Sequence, residues 1–213
     1  MTKMDLGFCM AGMAQDGAWV RPVPISRHSW KVADLIHGPD VIGPGAILSF
    51  KDAKPSPNSP HIEDYMVGDF EVSGHLSRDG FRLFLRAKAE GMDALEHLLH
   101  RDRRSLCLVR PESFQTVHVG DDARKTRIAF EFGGQSFRND TKKPGFPCTD
   151  LRWRAFRGST SSDPKYEEAF LTLGLARAFQ GDSGPVRPAP MVIGVHVFPS
   201  PVVKLDAQSP ATW

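Results

Sequence analysis

Apolar and polar positions alternate along most of this chain in short runs, each cut off by turn residues. Residues 5–13 are small and apolar, Ala14-Gln15-Asp16-Gly17 interrupts them, and Ala18–Ile25 resumes the pattern. An Asp-Gly pair between two such runs predicts a hairpin, because glycine accepts the positive φ of a tight turn. Pro22 and Pro24 cannot donate to a ladder, so the second strand is expected at an edge or leaving its sheet there. Period two places Trp19 and Arg21 on one face of that strand. Further strands are predicted over 46–51, 69–77, 81–86, 105–111, 113–119, 125–132, 135–138 and 191–198, with Gly133-Gly134 as another hairpin turn. Residues 167–180 fit a helix or a buried strand, and Thr172, Gly174 and the following Gly181–Gly184 favour the strand.

One stretch has the period of a helix. Met92, Leu95, Leu98 and Leu99 share a face over 91–103, with Asp93, Glu96, His97 and Arg101 opposite. Arg101, Arg103 and Arg104 at the basic end would complement the helix dipole. A helical turn is expected at 30–36, and Pro55–Pro60, with three prolines in six residues, is a loop. The pattern as a whole predicts a mainly β protein with a helix near 91–103 and long loops.

Composition narrows this picture only a little. The 213 residues, 40% hydrophobic and 24% charged, suffice for one large domain or two small ones with proper cores. The 19 glycines and 17 prolines favour all-β over helical architecture. A net charge of +2 does not by itself point to nucleic acid, so any basic surface must be local. Cys9, Cys107 and Cys148 are far apart and form no C-x-x-C pair, which suggests neither a zinc site nor disulfides and fits a reducing compartment. No window reaches the roughly 18 apolar residues of a membrane span, so a cytoplasmic protein with no membrane contact is expected.

The candidate chemistry gathers in Phe146–Phe156, where Asp150, Trp153 and Arg154 fall within five positions. A base stacked on Trp153 with its phosphate on Arg154 is one reading, and such stacking is worth about 1–3 kcal/mol per base. The other reading makes Trp153 core and pairs Asp150 with an arginine. Trp19 and Arg21 form a second aromatic-basic pair, and Arg110 before Pro111 echoes Arg21 before Pro22. Lys142 and Lys143, on the loop ahead of the stretch, would attract phosphate. His61, Glu63 and Asp64 could serve as acid/base groups or metal ligands, but no H-E-x-x-H cluster supplies a third ligand, and a loop cap fastened by Asp64 is the simpler account. The absence of a G-x-S-x-G elbow and of phosphate-binding glycine loops argues against nucleophilic catalysis and common nucleotide hydrolases.

Taken together, Asp-Gly-x-Trp19-Val-Arg-Pro-Val, His61-x-Glu63-Asp64-Tyr65, Ser105-Leu106-Cys107-Leu108-Val109, Thr149-Asp150-Leu151-x-Trp153-Arg154, Phe170-Leu171-Thr172-Leu173 and Val195-His196-Val197-Phe198 resemble bacterial proteins described as dual OB-fold domains. The resemblance implies two small OB-like barrels packed together, 1–103 and 104–213, with a nucleic-acid or nucleotide-binding role in a bacterial defence system. The expected partner is single-stranded nucleic acid or a nucleotide, held in a groove between a Trp19–Arg21 wall and a Trp153–Arg154 wall. No cofactor is implied. The alternatives are a metal-assisted enzyme acting on nucleic acid or a nucleotide, with His61, Asp64 and Asp150 converging, and a protein-interaction subunit that pairs a partner along 191–198.

Overall fold

Prolines and an Asp-Gly turn set the geometry of the first sheet. The computed structural model describes residues 2–4, 7–26, 29–37, 40–101, 103–117, 126–138, 144–160, 162–176, 179–181, 184–186, 188–201 and 205. Strands β1 (Thr2–Met4), β2 (Gly7–Cys9), β3 (Gly12–Met13) and β4 (Trp19–Pro24) open the chain. The hairpin forms as its turn requires, with Met13 opposite Trp19 and Gly17 at φ +94°. Beyond Val20, β4 leaves β3 and runs parallel to β9 (Asp64–Val67). Arg21 and Ile25 donate their amides to the Glu63 and Val67 carbonyls at 2.8 and 2.9 Å. Pro22 and Pro24, one residue out of phase, therefore turn to the side where no described strand asks for a donor.

The rest of the N-terminal half comprises α1 (Val32–Leu35) at the expected helical turn, β5 (Ile36–His37), β6 (Asp40–Val41), β7 (Ala46–Phe50), β8 (Lys54–Pro55) and β10 (Phe70–His75). β7 pairs antiparallel with β10, and β8 with β9. Phe8, Met10, Trp30, Leu35 and Val67 form the core of this half, with Phe50 and Phe70 packed against it.

Residues 81–86, expected as a strand, lie instead in helix α2 (Arg78–Lys88). Six residues reading Phe-Arg-Leu-Phe-Leu-Arg satisfy both periods, and tertiary packing decides between them. Phe81, Phe84 and Leu85 share a helical face that packs on Leu108, Phe170 and Phe198, while Leu83 is left 60% exposed. Ser77 caps the helix by accepting the Gly80 amide. The predicted second helix, α3 (Met92–Leu99), is present but ends before Arg101, Arg103 and Arg104, which therefore lie outside it.

The C-terminal half contains β11 (Leu106–Val109), β12 (Ser113–Val117), β13 (Arg127–Phe132), β14 (Gln135–Phe137), β15 (Phe146–Pro147), α4 (Leu151–Ser159), β16 (Glu168–Leu175), β17 (Phe179–Gly181), β18 (Gly184–Val186) and β19 (Pro190–Phe198). β11 and β12 are one run broken at Arg110-Pro111, the first part bonded to β16 and the second to β13. β13 continues to β14 and β15, and β16 pairs with β19. A parallel bridge from Cys148 to Val192 brings the third arm against the last, closing a barrel with α4 between its third and fourth strands. This is the OB-type arrangement. All eight residues of β16 are buried, Glu168 and Thr172 included, in keeping with the buried-strand reading of 167–180. The protein is thus mainly β, with two OB-like units packed together. Leu95 and Leu98 of α3 complete the core of the C-terminal barrel. Among the described residues, no helix is long and apolar enough to cross a membrane.

Candidate functional site

The stretch that combines Asp150, Trp153 and Arg154 is the first turn and a half of α4, and its residues divide between the two units. Asp150 is the N-cap: one carboxylate oxygen accepts the Arg152 and Trp153 amides at 2.9 and 3.3 Å, and the other accepts the Val195 amide at 2.8 Å. Leu151 enters the N-terminal core beside Phe8 and Trp30, and Arg152 donates to the Val41 carbonyl at 3.2 Å. Trp153 is 3% exposed, lies between Phe114 and Phe156, and donates its indole N–H to Thr116 at 3.2 Å. Leu151 and Trp153 are about 200° apart around the helix, which is why they serve opposite cores. Trp153 therefore offers no face to a base, and the expected second wall of the groove is absent. The same residues cover the edge of β19, since Thr149 donates to the Val192 carbonyl at 2.8 Å and Asp150 takes the Val195 amide. This stretch of β19 is not open to a partner strand. Arg154 is half-buried on α4, and Lys142 and Lys143 lie outside the described residues.

Arg21 is also buried, at 7% exposure. Its guanidinium donates to Ser105 Oγ at 2.8 Å, contacts His61 Nδ1 and lies 3.7 Å from an Asp64 carboxylate oxygen. Glu63 completes the group by accepting the Ser105 amide and hydroxyl, each at 2.7 Å, and the Leu106 amide at 3.2 Å. A buried guanidinium is tolerated only when paired in this way. His61, Glu63 and Asp64 thus join β4 and β9 to the start of β11, in the manner of a cap. Asp150 does not join them, and no group of three His, Cys, Asp or Glu able to hold a metal occurs among the described residues.

In front of this buried group lies an open cleft of about 380 Å³, lined by Trp19, Ile62, Glu63, Tyr65, His97, Arg103 and Arg104. Its size falls within the range of roughly 300–1,000 Å³ that small-ligand sites occupy. Glu90, between α2 and α3, organises one wall: Oε2 accepts the Trp19 indole N–H at 3.0 Å, and Oε1 accepts Arg104 Nη2 at 2.6 Å. Arg104 Nε also donates to the Leu106 carbonyl at 2.9 Å. Half-buried Trp19 and Arg104 are thereby held by a single carboxylate. Arg103 is exposed and has φ +62°, the sparsely used left-handed region. A second hollow of about 220 Å³ is bordered by Asp34 and Asp69, whose charges suit a cation better than a phosphate.

Only half of the expected Trp19–Arg21 wall therefore faces a ligand space, with Trp19 on the cleft and Arg21 behind it. Ile62, Tyr65, Glu90, His97, Arg103 and Arg104 are the contributors that the sequence reading misses. Arg103 and Arg104 follow the last residue in helical phase, and that was the available signal; Glu90 carried none. Arg110 is exposed, away from the cleft, and pairs with Glu168.

Two cysteines and one histidine are set by burial. The Cys107 and Cys148 thiols are pushed up by burial and stay protonated, which makes them poor nucleophiles. His196 packs edge-on against Phe81, and burial lowers its pKa to about 4, with Asp150 offsetting part of the effect. Because the folded value lies below the ordinary value of about 6.5, its contribution is fully present above that pH and is lost as pH falls toward 4. His196→Gln is expected to remove up to roughly 3 kcal/mol of acid sensitivity between pH 7 and pH 4. Urea unfolding at both pH values checks this, and an unchanged pH dependence in the variant would refute it.

No curated protein and no solved structure matches the chain. A family model does, over residues 1–186, and it describes a dual OB-containing domain. With the closed C-terminal barrel and the match across most of its length, the chain belongs to the dual OB-containing domain family.

Proposed function

We propose that this chain is a binding module for single-stranded nucleic acid or a nucleotide, with the ligand seated in the cleft of Trp19, Tyr65, His97, Arg103 and Arg104. The observation that carries this reading is the pairing of Trp19 and Arg104 on Glu90, which fixes an aromatic and a cation side by side in an open cleft. Aromatic rings stack on any base for about 1–3 kcal/mol each, and nearby cations meet the phosphate. OB folds commonly bind oligonucleotides, which supports the same reading. A place in a bacterial defence system, in the cytoplasm, rests on the family resemblance and on widely spaced cysteines, and the two units are proposed to divide near residue 103.

Tryptophan fluorescence provides the test. Trp30 and Trp153 are buried, and with Trp213 replaced by phenylalanine for the assay a change on adding ligand reports mainly on Trp19. A short single strand is expected to quench the emission, with affinity falling between about 50 and 200 mM salt as displaced counterions demand. Arg103→Gln should weaken binding about tenfold, the loss of one charge-assisted contact. Absence of quenching, or salt-independent binding, would overturn the reading.

A further inference from the structure

Helix α2 carries Arg78, Arg82 and Arg86 at four-residue spacing, hence on one face. Arg110 comes up to the same place from the end of β11. All but Arg78 converge on Glu168, the first residue of β16, whose side chain is 1% exposed. Arg82 Nε donates to it at 2.7 Å, Arg86 Nε reaches both oxygens at 2.8 and 2.9 Å, and Arg110 Nη2 lies 3.1 Å away. Burial alone would raise the Glu168 pKa, but the hydrogen bonds from Arg86 and Arg82 and the charge of Arg110 outweigh it and hold the carboxyl below its ordinary value. Exposed Glu167 meets Arg82 Nη2 at 3.3 Å and offsets one further charge, while exposed Arg78 adds one.

One guanidinium would suffice to neutralise Glu168, so three leave a surplus of positive charge. The side chains of Arg86 and Arg110 are 43% and 58% exposed. Glu168 holds them by one edge, and among the described residues their other N–H groups make no hydrogen bond. A guanidinium tethered at one edge keeps its fork for a phosphate, with part of its side-chain entropy already lost.

We infer that Arg82, Arg86 and Arg110, gathered on Glu168 and extended by Arg78, form a second contact site for the phosphodiester backbone of single-stranded nucleic acid. The inference rests on the proposed function for its ligand class and selects a strand over a free nucleotide. β11 runs between Arg104 and Arg110, so six residue steps of about 3.3 Å separate the cleft from the arginine ridge by roughly 20 Å. A mononucleotide in the cleft cannot span that distance, whereas a strand with a base in the cleft can lay its backbone on the ridge.

The double variant Arg86→Gln/Arg110→Gln tests this, since Arg82 stays to pair Glu168. Anisotropy of a labelled oligothymidylate of about 12 nucleotides, within the usual range of OB site sizes, is followed over a salt series. The expected result is at least tenfold weaker binding, a log–log salt slope shallower by about 1.4 for two lost phosphate contacts, and unchanged affinity for thymidine monophosphate. Unchanged oligonucleotide affinity and slope would overturn the inference. If Arg103→Gln abolishes binding and the double variant does not, the ridge fails and the cleft stands; the reverse pattern leaves the ridge and removes the cleft. Binding by the native protein to phosphatidylserine vesicles but not to the oligonucleotide overturns the nucleic-acid assignment. Should the double variant not fold, Arg110→Gln alone, whose side chain is mostly exposed, is expected to reduce the slope by about 0.7.

Discussion

Trp153→Ala is expected to lose roughly 3–5 kcal/mol of stability, the usual cost of emptying a buried tryptophan site. The ring is closed in by Phe114 and Phe156, and its N–H donates to Thr116, so the variant leaves both a cavity and an unmatched hydroxyl. That loss is a large fraction of the 5–15 kcal/mol that ordinarily separates folded from unfolded chains. Trp153→Phe should recover more than half of it by refilling most of the volume. Urea unfolding of the two variants measures the difference. The same substitution separates core from platform: where Trp153→Ala remains folded, its affinity for a single strand should equal that of the native protein. A loss below about 1 kcal/mol together with a loss of binding would restore the indole to the ligand site.

Glu63→Ala is the second large expected effect. The carboxylate satisfies the Ser105 amide, the Ser105 hydroxyl and the Leu106 amide, all buried. Removing it orphans these donors and frees Ser105, whose hydroxyl accepts from buried Arg21, for a combined cost of roughly 3–5 kcal/mol. Glu63→Gln keeps an acceptor oxygen and should lose about half as much. Denaturant unfolding is again the measurement, and a loss within about 1 kcal/mol for Glu63→Ala would show that the group does not join β4, β9 and β11. Glu63 also borders the cleft, so residual binding by the folded fraction distinguishes a support for the cleft from a direct contact.

How far the site could be read in advance differs from residue to residue. Asp150 ahead of Leu151 and Trp153 has the form of a helix N-cap, but the reading of the sequence predicts no helix there, because the Arg-Trp-Arg composition suggests a ligand grip instead. Residues 81–86 were too short a window to separate period two from period 3.6, and Ser77 with Asp79 was the capping signal that decides for the helix. Arg21 stands between Val20 and Pro22 and Arg103 between Asp102 and Arg104, so the charged setting of Arg103 suits an exposed cation. The partners that draw Arg21 inward, Asp64 and Ser105, however, lie 43 and 84 positions away. Glu90 acts on Trp19, which is 71 positions away, and Glu168 gathers arginines 58 to 86 positions away. Contacts at such separations leave no periodic trace.

The amino-acid sequence by itself determined the mainly β character, the Asp-Gly hairpin, the two positions of β4 that give no ladder donor, the helix at 92–99 and the buried β16, because each follows from φ restriction or side-chain period within a few residues. Only the tertiary structure decided which polar groups became internal ties and which became surface. β11 packs its start against β4 and β9, and this encloses Arg21, His61, Glu63 and Asp64, while Trp19, one period earlier, remains at the cleft. α4 packs between the two cores, and this turns Leu151 into one and Trp153 into the other. Burial is a property of what lies on the far side of a residue, and that is set by the long-range arrangement of the strands.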